Sequence, residues 1–555
     1  MKTLAHNLIE KLAPVLYRDD HLLAVNKPAG VDAGGAPNRS ATGLVAVLTR
    51  LSDLGTGLYP VNRLSRDESG ILLLGRDAAT AEQLRADLRA MRISQEYVGI
   101  ARGEMRQARI EIGAEHGASR GRQGRSKQKV TRAKKATSAE SRTSVTRLRK
   151  GAVGTLVRCQ TRTKSTHALR AQLRSAGLRL FGDHVHDRFE GARRREPCYL
   201  HLTRISYRRP STKLKCSITS DTPDAFKTAL DGKPEYIRFL EAALVRRLPC
   251  MTDPKTDSFR LLTGSVEGVK GLAVEKYGEV AVFQLAEETP QLTKSLTSIA
   301  RWYMKTLDLK AVYVKRFVRD RTAARADAAD ELHSPRPFAG TPVPEQIVVA
   351  ENGLRFAVRP YDGFSVGLFL DHRENRKRIR EMADGRDVLN LFAYTCGFSV
   401  AAASGRAGLT VSVDLSPKCL EWGRTNFELN DLDLSPHEFH TSDAISFLQR
   451  AKRKGREFGL VVLDPPSFAH GRKRGQDFSI TRDLPGLIEA SVAVLRRDGL
   501  LLLATNYRRF SWQDLREQLS RGAGRRKFTI IDTPRLPLDF ACDPDHAKTL
   551  VARFT

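Results

Sequence analysis

The chain has 555 residues, of which 41% are hydrophobic and 28% charged, and its formal net charge is +30. A chain of this length predicts roughly three or four domains, and its hydrophobic fraction excludes a protein that is disordered throughout. The excess of basic residues favours a nucleic acid as partner over a merely solvated surface.

The sequence also predicts a cytoplasmic protein. It has no run of ~18 uncharged apolar residues, the length that a membrane span needs, and residues 1–20 carry Glu and Lys among their apolar residues, unlike a signal peptide. Seven cysteines without a CxxC pair predict neither a disulfide framework nor a zinc site. We therefore expect no membrane partner and no metal.

Several motifs follow one another in the first part of the chain. They are VLYRDDHLLAVNKPAGV (15–31), VNRLSRDESGILLL (61–74), ISQEYVGIARGE (93–104), TKSTHALRAQL (163–173), GLRLFGDHVHD (177–187) and YLHLTRISYRRP (199–210). In this order they resemble the RluA-type pseudouridine synthases. The resemblance implies a mixed-sheet, RNA-binding domain over residues 1–232.

The departures from that family fall on its chemistry. Ser65 stands where the HRLDxxTSG motif has the catalytic Asp, and Ser165 where TGRTHQIR has the Arg that pairs with it. Gln95 replaces the Lys of a Lys-x-Tyr strand. Serine is a poor nucleophile without a base beside it, and losing both partners avoids a buried unpaired charge. We therefore predict a domain without synthase activity.

The residues that remain predict RNA binding. Arg63, His167 and Arg170 match the family, and residues 118–150 form a predicted loop with twelve Lys or Arg and one Glu. Such a run is suited to phosphates. Two alternatives stay open for this domain: it could be a structural relic, or half of a bifunctional enzyme that still isomerises uridine by an unusual route.

The middle of the chain predicts a small α+β domain over residues 233–346. A linker (220–236) precedes a helix (237–246), and a hairpin over Tyr-Gly (271–286) and a second helix (293–307) follow. The GxxxGxxVEKYG pattern resembles the central domain of large-subunit rRNA methyltransferases. Residues 318–346 are charged and Pro-rich, which predicts a loop.

From residue 347 to 555 apolar strands alternate with helices, the pattern of a Rossmann-like, doubly wound parallel sheet. The strand segments are DVLNLFAYTCGFSVAAA (387–403, with its helix), TVSVDLS (410–416), FGLVVLDPPSFA (458–469) and GLLLLATNYRRF (499–510), and SDAISFL (442–448) offers a further acid. Acids follow several of these strands. An acid at the end of the second strand suits the two hydroxyls of a ribose.

This order, with DPPSF after the fourth strand, resembles the class I S-adenosylmethionine methyltransferases. Two longer blocks, 367–380 and 464–483, closely resemble the large-subunit rRNA methyltransferases of the guanine-N7 and cytosine-C5 subfamilies. The resemblance implies S-adenosylmethionine as cofactor and large-subunit rRNA as partner. By resemblance the cofactor-binding residues are Phe392, Tyr394, Gly397, Asp414 (ribose), Leu415, Asp443 (adenine) and Asp371. The base-binding, catalytic residues are Asp464, Pro465 and Pro466 through their carbonyls, and Phe468 by stacking.

The two subfamilies differ in mechanism. Cytosine C5 is not nucleophilic, so an enzyme Cys must add to the base first, and the family places it after the fifth strand. Here that segment has Thr505 and Asn506, and Cys396 and Cys419 are predicted to be packing residues. Guanine N7 needs only alignment with the methyl group. We therefore predict guanine-N7 methylation, with a non-catalytic RNA-binding or assembly factor as the alternative.

Overall fold

The computed structural model describes residues 4–34, 43–51, 57–113, 142–183, 198–286, 289–316, 333–363, 365–469 and 478–555. The chain forms two compact units. The first unit comprises residues 1–252, 267–270 and 288–307, and the second comprises 253–266, 271–287 and 308–555. The three-domain boundaries at 232 and 346 stay a prediction. No helix within the described ranges is long and apolar enough to cross a membrane.

The first unit is built on a mixed ten-stranded sheet. Its strands are β1 (Val15–Arg18), β2 (Leu22–Lys27), β3 (Tyr59–Pro60), β4 (Ser69–Gly75), β5 (Ser94–Arg102), β6 (Arg109–Ile112), β7 (Thr143–Lys150), β8 (Gly154–Thr161), β9 (Leu200–Arg208) and β10 (Lys215–Thr219). The order is β1-β2-β4-β9-β5-β8-β7-β6, with β10 on β9 and β3 on β4. The β4–β9 pair is parallel, and the neighbouring pairs β2–β4 and β5–β9 are antiparallel.

The described part of the first unit also contains seven α-helices. They are α1 (Leu4–Leu12), α2 (Leu44–Leu51), α3 (Ala78–Arg89), α4 (Thr166–Ser175), α5 (Asp224–Leu230), α6 (Ile237–Arg247) and α7 (Pro290–Leu307). Leu84 and Leu88, one turn apart on α3, share a core with Leu169 and Leu173 of α4. Leu230 and Phe226 of α5 pack in a separate cluster with Val98 and Ile100 of β5. Successive side chains of β5 point to opposite faces of the sheet and therefore pack in two separate cores.

Two sequence predictions of local structure in this unit are wrong. The predicted linker 220–236 contains helix α5, whose Phe226 and Leu230 are buried. The predicted basic loop 118–150 overlaps strand β7, which begins at Thr143. Thr143 and Val145 are buried at alternate positions, because this end of the run has the period-two pattern of a strand. Residues 118–141 of that loop, and residues 184–187 of the predicted Gly-Asp turn, lie outside the described residues.

The second unit contains a five-stranded sheet, a seven-stranded sheet and two short hairpins. Its strands are β11 (Phe259–Thr263), β12 (Leu272–Tyr277), β13 (Val280–Leu285), β14 (Ala311–Arg316), β15 (Ala339–Gly340), β16 (Ile347–Glu351), β17 (Leu354–Val358), β18 (Asp387–Leu391), β19 (Leu409–Asp414), β20 (Glu438–Thr441), β21 (Phe458–Leu463), β22 (Phe468–Ala469), β23 (Phe478–Ser479), β24 (Leu495–Thr505), β25 (Phe528–Asp532) and β26 (Lys548–Phe554). Its helices are α8 (Arg373–Met382), α9 (Gly397–Ser404), α10 (Pro417–Glu428), α11 (Ala444–Arg453), α12 (Ile480–Val492) and α13 (Trp512–Ala523). The short strand β15 lies within residues 318–346, which the sequence predicts as a loop.

The seven-stranded sheet has the order β20-β19-β18-β21-β24-β26-β25. The first five strands in this order, β20, β19, β18, β21 and β24, run parallel, and β26 is antiparallel to β24. Strand β21 is buried along its whole length, as expected for a parallel strand with helices on both faces. The predicted Rossmann-like fold is confirmed. The strand order reverses between β18 and β21, so a ligand crevice is expected at the carboxyl ends of these two strands.

Candidate active site

The carboxyl ends of the parallel strands bring the predicted site residues to one edge of the sheet. Residues 392–396 follow β18, Asp414 ends β19, and Asp464 directly follows β21. Asp443 comes after β20 and caps the amino end of α11. Asn506 follows β24 at the same edge. Strands that run parallel end on the same side, so these residues are neighbours although they are far apart in sequence.

The loop between β18 and α9 has an unusual backbone. Phe392, Tyr394 and Cys396 have φ angles of +57°, +48° and +60°, a region that residues other than glycine seldom occupy. The Tyr394 N–H donates to Asp414 Oδ2 at 2.8 Å, and the Thr395 hydroxyl donates to the Gly367 carbonyl at 2.6 Å. These hydrogen bonds to neighbouring segments fix the loop in a conformation that would otherwise be strained.

Asp414 retains the capacity to bind a ribose. Its Oδ2 accepts the Tyr394 N–H, and its Oδ1 accepts the Ser416 N–H at 2.9 Å. A carboxylate oxygen has two lone pairs, so each can accept a second hydrogen bond from a hydroxyl. Leu415 beside it is 43% exposed and offers an apolar surface to a base such as adenine. The donors and acceptors present therefore fit a nucleoside cofactor.

Asp443 and the aromatic residues of this edge have structural contacts as well. Asp443 Oδ1 accepts the Ser446 N–H at 2.9 Å, as a helix cap does. The Tyr394 ring lies 5.3 Å from Phe369, and Phe392 lies 6.3 Å from Phe478, measured between ring centroids. Burial raises the pKa of Tyr394, so this phenol stays protonated at neutral pH. Gly397 is the first residue of α9.

The loop after β21 holds the predicted catalytic residues. Asp464 is one quarter exposed, and its Oδ2 lies 3.0 Å from His372 Nε2. The Ser467 hydroxyl donates to Asn506 Oδ1 at 3.1 Å and so joins the loops after β21 and β24. Pro465 is buried, Pro466 is half-buried, and Phe468 is 53% exposed. The structure therefore brings an acid, a polar link and an exposed aromatic ring together at the cofactor edge.

Sequence reasoning missed His372. It lies in the block 367–380 that resembles the family, but no role was assigned to it, and no pattern in the sequence connects it with Asp464. It is 7% exposed. Burial lowers its pKa, but Asp464 and Asp371 outweigh burial and raise the pKa to about 9. His372 is therefore an imidazolium at neutral pH, paired with the Asp464 carboxylate.

Asp371, a predicted cofactor contact, lies beside His372 and is buried. Its carboxylate is 3.5 Å from His546 Nε2, a second residue that no sequence pattern singles out. Burial by itself would raise the pKa of Asp371, but His372, His546 and Arg260 together hold it below its usual value. Asp371 is thus an ionised acid that lies among basic side chains.

Buried ion pairs anchor the segment that carries these residues. Arg376 makes two hydrogen bonds to Glu351, at 2.6 and 2.7 Å, and donates a third to the Phe369 carbonyl at 2.7 Å. Arg373 contacts Asp539 through two nitrogens at 2.9 and 3.1 Å. Paired guanidinium–carboxylate contacts of this kind fix orientation as well as charge. The short turn Leu370–His372 is held on this platform.

The two cysteines near the cofactor loop are poor nucleophiles. Cys396 is fully buried, and burial raises the pKa of its thiol to about 12. Cys419 is half-buried, and burial raises its pKa as well. A thiol must ionise to attack a base, so neither is suited to covalent catalysis at neutral pH. Within the described ranges, no group of three or more His, Cys, Asp or Glu side chains could hold a metal ion.

In the first unit, the structure corrects the predicted role of Arg170. This residue is 2% exposed, and its Nη1 lies 3.0 Å from Glu68 Oε1 and its Nε 3.0 Å from Asp183 Oδ2. A buried, doubly paired guanidinium cannot reach RNA, so the expectation that Arg170 contacts RNA is wrong. Sequence matching preserved the residue type but carried no information on its burial. Arg63 and His167 are exposed, as RNA contacts require.

The positions that lost the synthase chemistry have local structural partners. The Ser65 side chain is exposed, and its backbone N–H donates to Glu68 Oε2 at 2.7 Å. Ser165 caps α4 by accepting the Ala168 N–H at 3.3 Å. Gln95 is buried and accepts a hydrogen bond from the Tyr97 hydroxyl. These residues fit their surroundings without the ion pair that the family has here.

Comparison with known proteins identifies both parts. The profile of the family described as S-adenosylmethionine-dependent methyltransferase matches residues 281–551. A putative ribosomal RNA large subunit methyltransferase, YwbD, from Bacillus subtilis is 33% identical over 55% of this chain and 75% of its own length. The chain belongs to the S-adenosylmethionine-dependent methyltransferases. The first part of this methyltransferase, residues 21–175, matches the profile described as RNA pseudouridylate synthase.

Two further similarities concern the methyltransferase part. Ribosomal RNA large subunit methyltransferase K of Neisseria meningitidis is 43% identical over 31% of this chain; this chain spans 48% of that protein's length. The solved structure of SMU.776, a putative methyltransferase complexed with SAH, has a TM-score of 0.52 and 25% identity over 64% of this chain and 88% of its own. The cofactor of the methyltransferase is S-adenosylmethionine, as predicted.

Proposed function

We propose that this methyltransferase methylates a base of ribosomal RNA, and specifically guanine N7 of large-subunit rRNA. The observation that carries the proposal is Asp464, a partly exposed carboxylate that lies four residues before the exposed ring of Phe468 and at the same sheet edge as Asp414. Two relatives with the printed name of ribosomal RNA large subunit methyltransferase support the substrate class.

The cofactor supplies an electrophilic methyl group when it is bound. Asp464, together with the carbonyls of Pro465 and Pro466, accepts hydrogen bonds from the amino edge of a base, and Phe468 stacks on its face. Guanine N7 lies across the base from that edge and remains free. Methylation of N7 leaves the base positively charged, and the negative charge of Asp464 stabilises this product and the transition state that precedes it.

The chemistry of the cysteines favours N7 over cytosine C5. Methylation at C5 requires a thiolate that first adds to C6 of the base, and burial raises the pKa values of Cys396 and Cys419. At the carboxyl end of β24 the chain has Thr505 and Asn506 in place of a cysteine. Alignment of a lone pair with a methyl group needs no covalent intermediate and is within reach of the groups present.

The test is methyl transfer from tritium-labelled S-adenosylmethionine to protein-free large-subunit rRNA, with the products identified as nucleosides by mass spectrometry. We expect 7-methylguanosine from the wild type and about 100-fold less of it from Asp464→Asn. The matched control is Asp431→Asn, because Asp431 is largely exposed and its φ of +55° suits asparagine. A different methylated nucleoside from the wild type would refute guanine N7 and leave rRNA methylation in place.

We further propose that the pseudouridine synthase-like part holds RNA without modifying it. Ser65 has a hydroxyl where a carboxylate is needed, and Glu68 nearby is fully buried and committed to Arg170. Arg63 and Lys164 are exposed cations on the segments that flank this position. Cations on exposed segments contribute sequence-independent affinity for phosphates, which positions the RNA for methylation. A bifunctional enzyme is the alternative that a pseudouridine assay excludes or supports.

A further inference from the structure

A relay of buried polar groups leads from β26 to the predicted catalytic acid. The Asn375 amide contacts Thr549 Oγ1 at 2.9 Å and His372 Nδ1 at 2.8 Å. His372 Nε2 then contacts Asp464 Oδ2 at 3.0 Å. Asn375, His372 and Thr549 are all buried, whereas Asp464 is one quarter exposed. The polar relay therefore ends at the acid that faces the position proposed for the base.

The imidazole of His372 is held on several sides. Its ring lies 5.3 Å from the Phe398 ring in an edge-on arrangement, and Asn375 fixes its far nitrogen. Without such a contact, a partly exposed Asp side chain samples several rotamers about its side-chain bonds. With Oδ2 held by a rigid donor, Oδ1 of Asp464 points in a defined direction and is available to the base.

We propose that His372 is a positioning residue for methyl transfer, which orients the Asp464 carboxylate toward the base. This inference rests on the proposed function, because it assumes that Asp464 binds the base. His372 touches neither the base nor the cofactor in this account. It acts only through Asp464, and that restriction makes the proposal testable.

The charged groups around His372 define the pH range in which it works. Asp464 faces it from the loop after β21, Asp371 precedes it in the chain, and Arg376 faces it from α8. His546 is the next basic side chain, on the far side of Asp371. The two acids raise the pKa of His372 to about 9, so the imidazolium is present below that pH and is lost above it. An amide can rotate to present its oxygen to a protonated Nδ1 and its nitrogen to a neutral one, so Asn375 suits both forms.

The experiment measures single-turnover methyl transfer with variants of both residues, using S-adenosylmethionine and protein-free large-subunit rRNA. His372→Ala removes the donor and should lower the rate about 100-fold, as loss of alignment does. His372→Gln keeps a donor at similar reach but no charge, and should recover about tenfold of that loss. Both variants should bind S-adenosylmethionine like the wild type. His437→Gln, a histidine that accepts the Thr410 N–H, is the matched control.

Two readouts separate positioning from a merely structural role. The ratio of the wild-type rate to the His372→Gln rate should fall as the pH rises above about 9, because only the wild type has an imidazolium at position 372 to lose. Titration of the RNA affects both rates equally and therefore does not change the ratio. In an Asp464→Asn background, His372→Gln should have no further effect, since its partner is already neutral.

The outcomes are distinct. A pH-independent rate ratio, or an equal loss from His372→Gln with and without Asp464→Asn, would overturn the positioning role and leave the proposed function standing. Full activity of Asp464→Asn alone would refute the proposed role of Asp464. If His372→Gln does not fold, Thr549→Val, which removes the far end of the polar relay, should cause a smaller loss of rate that is absent in the Asp464→Asn background.

Discussion

Gly423 of α10 controls the shape of the cofactor loop. A Cβ atom built on it lies 2.9 Å from the Cys396 Cβ, and the Cys396 sulfur is closer still; the Thr395 carbonyl carbon is at 3.5 Å. Real Cβ atoms essentially never approach others below 3.0 Å. Gly423→Ala must therefore push residues 395–396 outward, and with them the neighbouring Tyr394 N–H that donates to Asp414.

The size of the effect follows from two opposing contributions. Alanine is favoured over glycine inside a helix by about 0.5–1 kcal/mol, whereas an extra methyl group forced into a packed core costs about 1–3 kcal/mol. We expect Gly423→Ala to lower the free energy of unfolding of the second unit by about 0.5–2 kcal/mol after both contributions. Displacement of Tyr394 should also weaken cofactor binding about tenfold, equivalent to ~1.4 kcal/mol.

The assay is isothermal titration with S-adenosylhomocysteine, combined with thermal unfolding in its presence and absence. Ligand raises the transition of the unit that binds it, which identifies that transition in a chain with two units. Gly486→Ala is the matched control: it lies in α12 and a Cβ there meets nothing within 4 Å, so it should stabilise slightly and bind normally. Cofactor affinity unchanged in Gly423→Ala would refute the reasoning.

A second-site change provides a further check. Cys396→Gly removes both atoms that the new methyl group would meet, and glycine suits the φ of +60° at this position. The double variant should therefore bind the cofactor more tightly than Gly423→Ala alone. Equal affinities would mean that the clash is relieved elsewhere and that Cys396 is not the neighbour that matters.

Three further predictions concern the first unit. Arg170→Gln should lower the free energy of unfolding of this unit by about 3–5 kcal/mol, because Glu68 and Asp183 lose their buried partner. Arg63→Gln should instead weaken RNA binding and leave the melting temperature unchanged. Weaker RNA binding by Arg170→Gln at an unchanged melting temperature would show that Arg170 contacts RNA. Neither the wild type nor Ser65→Asp should release tritium from RNA labelled at uridine carbon 5, since Ser165 does not supply the missing arginine, and release by the wild type would establish a bifunctional enzyme. Replacing residues 118–141 by a short Gly-Ser link should reduce the slope of log affinity against log salt by about 0.7 for each phosphate that is no longer neutralised, equally for target and scrambled RNA; a weakening confined to the target would make this segment a sequence reader.

The placement of the acids at the sheet edge was predictable because each signal is local. Asp414 and Asp464 each follow an apolar run, and a parallel sheet necessarily brings strand ends together. The resemblance to the methyltransferase family predicted the other residues at that edge of the sheet. Locating these acids therefore needed no knowledge of long-range packing.

The partners of those acids were not predictable from the sequence. His372 meets Asp464, and Arg373 meets Asp539, across long separations with no periodic signal to connect them. The same limit explains the error at Arg170. The motif predicts the residue type at this position, but only the tertiary packing shows that Arg170 is buried in an ion pair with Glu68. Strand β7 was missed because its charged half has the composition of a loop and only its buried half alternates.

The central claim is that Asp464 serves methylation of a guanine in large-subunit rRNA. The most direct measurement is the mass of every guanosine-containing fragment of that rRNA from cells that lack the gene and carry either the wild type or Asp464→Asn. The account predicts one fragment that carries an additional methyl group, located at guanine N7, with the wild type and lacks it with the variant. The same modified fragment in both strains, or no methylated guanine that depends on the gene, would contradict it.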